Sequence, residues 1–211
     1  MRADGSGEPK RILDVGARKN ARAFSMRADG RFVYGILGTS GVPDLWTVPI
    51  ELSDPDNPKT GKPEPFLTEA EVEVDATFSP DGKFMAYAST ETGPNELYVR
   101  PFPGPGGKRK ISTNGGKFPA WSRAGQLFFL GGDDRVMVVD YTTEGEAFLP
   151  GTPRAWAPAQ IYRDGVRMNF DLAPDGKRVV VTPRPAETNA KENLHATFLL
   201  NFFDEVRRRI P

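Results

Sequence analysis

The sequence predicts an all-β protein built from repeated four-stranded antiparallel units. The chain has 211 residues, and its 22 glycines and 20 prolines are spread along it, which is typical of many turns. Apolar segments are short, and no sustained period of 3.6 residues predicts a helix before residues 201–209. The same turn sequence also returns four times, in the same place relative to its flanking apolar runs.

The recurring turn has the pattern Ser-Pro-Asp-Gly or a variant of it. Proline presets φ at the first corner and glycine accepts a positive φ at the end, so each copy predicts a β-hairpin. Arg123-Ala124-Gly125 departs from the pattern, and the copy that begins at Ser25 carries an extra residue, so these two turns are expected to differ in type or to contain a bulge. The four copies are SMRADGRFVYGI from Ser25, SPDGKFMAYAS from Ser79, SRAGQLFFL from Ser122 and APDGKRVVV from Ala173.

Each turn lies between two predicted strands, A and B, and two further apolar runs complete each unit as strands C and D. Strand C is DLWTVPI, ELYVRPF, RVMVVDY or HATFLLNF, and strand D opens on a glycine, as in GKPEPFLTE. The turn glycines are 52, 43 and 51 residues apart. This period matches the roughly 40 to 50 residues of a four-stranded β-propeller blade. The sequence therefore predicts a β-propeller of about four blades.

The order of strands divides the chain into a propeller over residues 1–203 and a polar C-terminal tail over residues 204–211. The propeller consists of a strand D within residues 7–15, blades at 24–69, 76–113 and 116–158, and strands A to C of a last blade at 167–203. Two arrangements remain open. In a complete four-bladed ring, residues 11–15 pair with residues 197–201 and no sheet edge is exposed. In a part of a larger ring, exposed edges and blade faces favour self-association.

Composition and charge restrict the classes of function. Acidic and basic residues balance at 28 each, so we expect no nucleic-acid binding. The chain has no cysteine, and residues 1–20 contain no apolar core of a signal peptide. No segment approaches the roughly 18 apolar residues of a membrane span, so we expect no membrane contact by this chain itself. The compartment stays unknown.

The sequence predicts no catalytic, cofactor-binding or metal-binding residue. Nucleophilic catalysis of the Ser-His-Asp type needs an imidazole, and the single histidine, His195, lies in an apolar predicted strand. The segment Asp54-Pro55-Asp56-Asn57 begins like a calcium loop, but it lacks the glycine of the sharp turn. We therefore expect a protein that is not an enzyme.

One acidic row is the candidate for an interaction site. Glu69, Glu71, Glu73 and Asp75 alternate with apolar residues, which places the acids on one side of an extended segment that enters the second predicted blade. A connection between blades lies near the mouth of a propeller channel, where an acidic rim would attract a cation or a basic peptide. The alternative is an ordinary solvated strand face.

The repeats FSPDGKFMAYAS, GGKFPAWSRAGQLFFL and FDLAPDGKRVVV resemble the TolB-like, WD40-like (PD40) propeller family. The resemblance implies six blades and, in a longer protein of this family, a periplasmic location. The last third of the chain, from ISTNGGKFPAWSRAGQ to FLLNFFDEVRRRIP, resembles the C-terminal sensor propeller of bacterial serine/threonine protein kinases.

Three hypotheses of function follow from the residues and the resemblance. The first is a non-catalytic interaction or sensor module that binds a protein, peptide or small ligand through loops around the channel. The second is a fragment of a receptor-type kinase whose catalytic domain lies upstream. The third is a propeller hydrolase or lyase that uses Glu71 and Glu73, and we expect it least.

Overall fold

The computed structural model of the chain describes residues 8, 10–15, 21–37, 41–54, 56–69, 71–104, 106–162, 168–173 and 176–182. Every regular element in this part of the chain is a β-strand. The same residues contain no helix of the length and apolar character that a membrane crossing requires. The prediction of an all-β fold is confirmed.

The strands form four antiparallel sheets that follow one another along the chain. Sheet 1 has the order β1 (Ala21–Met26), β2 (Arg31–Leu37), β3 (Pro43–Glu51) and β5 (Glu64–Leu67), with the short β4 (Lys59–Thr60) paired to the end of β3. Sheet 2 has the order β6 (Glu73–Phe78), β7 (Phe84–Ser89), β8 (Glu96–Pro101) and β9 (Arg109–Lys110).

Sheet 3 repeats this order, and sheet 4 is described over two strands. Sheet 3 has the order β10 (Gly116–Ser122), β11 (Gln126–Gly131), β12 (Arg135–Glu144) and β14 (Arg154–Gln160), with β13 (Ala147–Pro150) paired to the end of β12. Sheet 4 contains β15 (Phe170–Leu172) and β16 (Val179–Val181). The four-stranded antiparallel blade that the repeats predict is therefore present in sheets 1, 2 and 3.

The turn between β6 and β7 shows why its sequence forms a hairpin. The Ser79 hydroxyl donates a hydrogen bond to Asp81 Oδ1 at 2.6 Å and accepts one from the Phe84 amide at 3.0 Å. Gly82 completes the turn at φ 69°, a value that side chains with a Cβ rarely adopt. Serine, aspartate and glycine therefore each have a separate part in closing the loop.

The turn of sheet 1 corrects the prediction of an extra residue. The Arg27 amide bonds the Arg31 carbonyl at 2.8 Å, whereas in sheet 2 the Ser79 amide bonds the Phe84 carbonyl at 2.9 Å. Arg27 therefore takes the place of Ser79, and the first turn is one residue shorter than the second. The two turns do differ in length, but the first is the shorter one, whereas the prediction gave it an extra residue.

Successive sheets pack face to face, and we term these contacts seams 1–2, 2–3 and 3–4 after the sheets that meet. Seam 1–2 buries Val33, Leu45 and Leu67 of sheet 1 against Ala76, Phe78, Met85, Tyr87 and Tyr98 of sheet 2. Seam 2–3 buries Phe84, Ala86, Leu97, Val99 and Ile111 against Leu127, Phe129, Val139 and Phe148. Seam 3–4 buries Phe118, Phe128, Leu130, Val136, Val138 and Ile161 against Phe170.

The strands in the middle of the stack are buried on both faces. In β7, Met85 and Tyr87 point into seam 1–2, while Phe84 and Ala86 point into seam 2–3. Alternate side chains of a strand face opposite sides of its sheet, so a strand between two seams is buried on both sides and is mainly apolar. All six residues of β7 are buried, as this requires.

The predicted outer strand within residues 7–15 is wrong for the described residues 10–15, which form no strand. Leu13 and Val15 instead pack against the face of sheet 1 that points away from sheet 2, which contains Tyr34 and Ile36. The Thr60 hydroxyl also donates a hydrogen bond to the Ile12 carbonyl. The segment therefore covers an apolar sheet face with its side chains. Residues 197–201, the predicted partner strand, lie outside the described residues, as does the predicted tail 204–211.

The seams are expected to dominate stability, and one pair of identical substitutions tests this. Leu97 is completely buried in seam 2–3, whereas Leu52 is 46% exposed. Leu97→Ala is expected to lower the free energy of unfolding by about 2–5 kcal/mol, because it leaves a cavity between two sheets. Leu52→Ala is expected to change it by no more than about 0.5 kcal/mol. Urea denaturation of both variants measures the difference, and equal losses would contradict the assignment of the core.

Candidate functional site

The first strands of the four sheets, β1, β6, β10 and β15, contact one another in sequence and surround an open cavity of about 570 Å³. In a propeller this position is the central channel. The residues that line it are Arg22, Ala23, Phe24, Asp75, Ala76, Thr77, Phe118, Pro119, Ala120, Trp121, Met168, Asp171 and Leu172.

Each of the inner strands β1, β6 and β10 contains a β-bulge at the level of the channel. The register of β6 on β7 shifts between Val74 and Thr77, and that of β10 on β11 shifts between Lys117 and Ala120. Asp75 and Phe118 occupy equivalent places in these bulges, at φ 57° and 54°. Left-handed backbone at non-glycine residues is uncommon and concentrates at functional sites. The bulges place the Asp75 and Phe118 residues along the wall of the channel.

The bulge also divides the predicted acidic row. Strict alternation would place all four acids on one side, but the structure brings together Glu69, Glu71 and Glu73 only. Asp75 lies beyond the start of the bulge, where the extra residue changes the phase of the strand. The four residues therefore belong to two places: Asp75 to the channel, and the three glutamates to seam 1–2. Their role in binding remains a prediction.

Asp75 is a polar group that the fold satisfies incompletely. The Phe118 amide donates a hydrogen bond to its carboxylate, while Oδ2 is buried and has no hydrogen-bond partner among the described residues. Burial raises the pKa of Asp75, and the nearby charges of Lys117 and Arg22 act in the opposite direction. The channel is therefore lined by a carboxylate whose second oxygen is buried without a donor among the described residues.

The three glutamates lie where the chain passes from sheet 1 to sheet 2. One carboxylate oxygen from each lies within 4.8 Å of the others. Glu69 is exposed, Glu71 is half-buried, and Glu73, the first residue of β6, is only 2% exposed. A solvated strand face, the alternative at the sequence level, does not describe Glu73.

The environment of Glu73 disfavours its charge. Burial, together with the smaller effect of the negative charges of Glu69, Glu71 and Asp44, raises the pKa of its carboxyl group from 4.5 to about 7, while Lys108 acts in the opposite direction. Its Oε2 atom is buried and has no hydrogen-bond partner in the part of the chain that the structure describes.

The short basic cluster at residues 108–110 lies beside these acids. Lys108 binds Glu91 and approaches Glu69 Oε2 at 4.0 Å, while Lys110 approaches Glu96 Oε1 at 3.5 Å. Both lysines are thus engaged by carboxylates of the same chain.

Most residues that line the channel are not predicted as site residues from the sequence. Arg22 and Met168 lie outside the quoted repeats, whereas Trp121 lies in the repeat GGKFPAWSRAGQLFFL, directly before its turn. The position of strand A in each repeat was the available signal, since A strands surround the channel of a propeller. His195 lies outside the described residues.

The raised pKa of Glu73 has a consequence for stability that urea denaturation can measure. Between pH 4.5 and about 7 the folded state holds a proton at Glu73 that the unfolded state has released, so the free energy of unfolding falls as pH rises through this window. Glu73→Gln removes this titration. It is expected to equal the wild type near pH 4.5 and to exceed its stability by on the order of 1–3 kcal/mol near pH 8.

EDTA in the buffer keeps divalent cations from contributing to that measurement. Glu144→Gln, at an exposed position in β12, is the control and should retain the pH dependence of the wild type. A Glu73→Gln protein with the wild-type slope would show that Glu73 titrates normally.

Comparison with known proteins bears on the fold of the chain. A scan against models of protein families found no match, and a search of curated proteins also found none. Among solved structures, a protein named as a TolB of Agrobacterium tumefaciens is 18% identical with a TM-score of 0.53, and the match covers 83% of this chain and 61% of that one. TolB of Acinetobacter baumannii is 16% identical with a TM-score of 0.49, over 83% of this chain and 40% of that one.

The chain therefore spans less than two thirds of the length of either protein. At this level of identity the match to the Agrobacterium tumefaciens structure bears on the fold alone. The repeated sheets, the bulged inner strands and this match agree, and the chain has the TolB-like β-propeller fold.

Proposed function

We propose that the chain is a non-catalytic recognition module that binds a segment of a partner protein at its central channel. The observation that carries the proposal is Asp75, which lines the channel and whose buried Oδ2 atom has no hydrogen-bond donor among the described residues. An unsatisfied buried acceptor is costly, and a ligand that supplies a donor removes the cost.

The chemistry of the channel wall indicates the kind of segment that fits. Trp121 and Phe118 supply aromatic surface, and Met168, which is 40% exposed, supplies an adaptable apolar contact. Asp75 and Asp171 supply carboxylates. A chain segment that combines an apolar residue with a hydrogen-bond-donating side chain, such as lysine, arginine or an amide, would satisfy both parts of the wall.

The rigidity of the wall supports recognition rather than a mobile contact. Asp75 and Phe118 are fixed by their bulges, and the indole Nε1 of Trp121 donates a hydrogen bond to the Thr77 carbonyl at 3.2 Å, across seam 2–3. Preorganised groups bind with a smaller loss of conformational entropy than flexible ones. A channel of this kind is suited to one orientation of a bound segment.

The kinase hypothesis rests on the resemblance of the last third of the chain, of which residues 183–211 lie outside the described part. It remains a prediction, as does the periplasmic location that a longer TolB-like protein would imply. A reading frame upstream of residue 1 that encodes a kinase domain and a membrane span would support it.

Selection of peptides from a random display library against the purified chain tests the proposal. Peptides that bind are expected to share a basic or amide side chain beside an apolar residue, and Asp75→Asn is expected to weaken their binding about tenfold or more, because the charged acceptor is lost. Glu144→Gln, on an exposed strand end, is the control and should bind like the wild type. Peptides that bind Asp75→Asn equally well, or a library that yields no binder, would contradict the proposal.

A further inference from the structure

The cluster of Glu69, Glu71 and Glu73 is separate from the channel, since none of the three lines the channel cavity. The side chains come from the linker between sheets 1 and 2 and from the first residue of β6. Their carboxylate oxygens converge within 4.8 Å, although like charges repel one another at this range. A fold that holds three carboxylates this close requires a compensating positive charge or a bound proton.

Glu73 gives the second, independent observation. Glu73 is only 2% exposed, and its Oε2 atom has no hydrogen-bond donor in the described part of the chain. Its carboxylate points into the cluster, because one of its oxygens is among the three that converge. Buried carboxylates are otherwise paired, hydrogen-bonded or bound to metal.

Lys108, the lysine beside the cluster, already pairs with an acid outside it. Lys108 binds Glu91 and lies 4.0 Å from Glu69 Oε2. Glu69 and Glu91 therefore share one ammonium group, which also acts on Glu73, and Asp44 adds a further negative charge near Glu73. The local balance is strongly negative.

Another buried acid of sheet 2 shows how this fold satisfies a carboxylate. Glu96, the first residue of β8, accepts a hydrogen bond from the Ser112 hydroxyl and lies 3.5 Å from Lys110. The inner strand of sheet 3 begins with Gly116, where that of sheet 2 begins with Glu73. Seam 1–2 thus places acidic side chains where seam 2–3 has a hydroxyl and a glycine.

We infer that Glu69, Glu71 and Glu73 form a binding site for a single Ca²⁺ ion at the edge of seam 1–2. Calcium binds carboxylate oxygens at about 2.3–2.6 Å, so two of its ligands lie up to about 5 Å apart, and one ion reaches all three carboxylates. The exposed side of Glu69 and Glu71 leaves room for water to complete the six to eight ligands that calcium takes. Magnesium requires shorter bonds and near-octahedral geometry, so it binds this site more weakly.

The bound ion links the connection between the sheets to the first residue of β6. It therefore stabilises seam 1–2, because ions that bind only the folded state raise the apparent stability of a protein. This role is independent of any partner in the channel.

Isothermal titration calorimetry of the EDTA-treated and desalted chain with CaCl₂ tests the inference. One saturable site is expected, with magnesium at least about tenfold weaker, together with a rise in the thermal unfolding temperature on addition of calcium. Glu73→Gln and Glu71→Gln are each expected to weaken calcium binding about tenfold or more and to abolish the thermal shift.

Two controls separate a lost site from a lost fold. Glu144→Gln, an exposed acid far along the chain in β12, should bind calcium like the wild type. Far-ultraviolet circular dichroism should show the β-structure of both cluster variants to be intact, and Glu71→Gln, at the half-buried position, serves if Glu73→Gln misfolds. The inference is overturned by the absence of saturable binding up to about 10 mM CaCl₂, by equal binding of the folded cluster variants and the wild type, or by equal affinity for magnesium.

Discussion

Apolar contact between the faces of successive sheets is the interaction on which the rest of this structure depends. A four-stranded sheet of this size cannot bury two apolar faces by itself, so each blade requires a neighbour on either side. Seam 2–3 illustrates the contact: Phe84 of sheet 2 meets Phe148 of sheet 3 with ring centroids 5.3 Å apart. Trp121 also reaches across this seam to the Thr77 carbonyl. These contacts hold sheets 2 and 3 together face to face.

Stacking by faces leaves the inner strand edges around a common space. The backbone of β6 and β10 could continue as regular strand there, but both carry a bulge, and the residue at each bulge has a positive φ. The cost of such backbone is on the order of 1–3 kcal/mol per residue, and the buried seams on either side hold it in place. The channel wall is thus strained locally and supported by the apolar contacts behind it.

The same seams determine where polar groups are tolerated. At the first residue of an inner strand, sheet 3 has Gly116, whose Cβ position would lie 2.5 Å from Ser112 Oγ. Sheet 2 has Glu73 at this position, next to two other glutamates. An acid in this place is costly unless a positive charge or a proton accompanies it. Seam 1–2 therefore differs from seam 2–3 in that packing alone does not explain the residue at this position.

The repeats allowed the fold to be predicted because turns and alternation are local properties. Ser79, Asp81 and Gly82 close a hairpin through contacts within six residues, and the alternating burial of β7 follows from its period of two. The sequence also predicts that Glu69, Glu71 and Glu73 lie on the same side of the chain, because they alternate with other residues.

Long-range geometry accounts for what the sequence did not predict. The separation of Asp75 from the acidic row depends on a bulge, whose register is set by pairing with β7 and not by the sequence of β6 alone. The segment 7–15 is predicted as a strand because it opens on a glycine like the other D strands, yet Leu13 and Val15 cover the apolar face of sheet 1. In both cases a tertiary contact overrides the local pattern.

A double-mutant cycle across seam 2–3 tests the central claim most directly. Phe84→Leu, Phe148→Leu and the double variant are compared with the wild type by urea denaturation. If the two rings pack against each other between successive sheets, their effects on the free energy of unfolding should be coupled by about 0.5 kcal/mol or more. Effects that add to within about 0.3 kcal/mol would contradict the stacking of sheets 2 and 3.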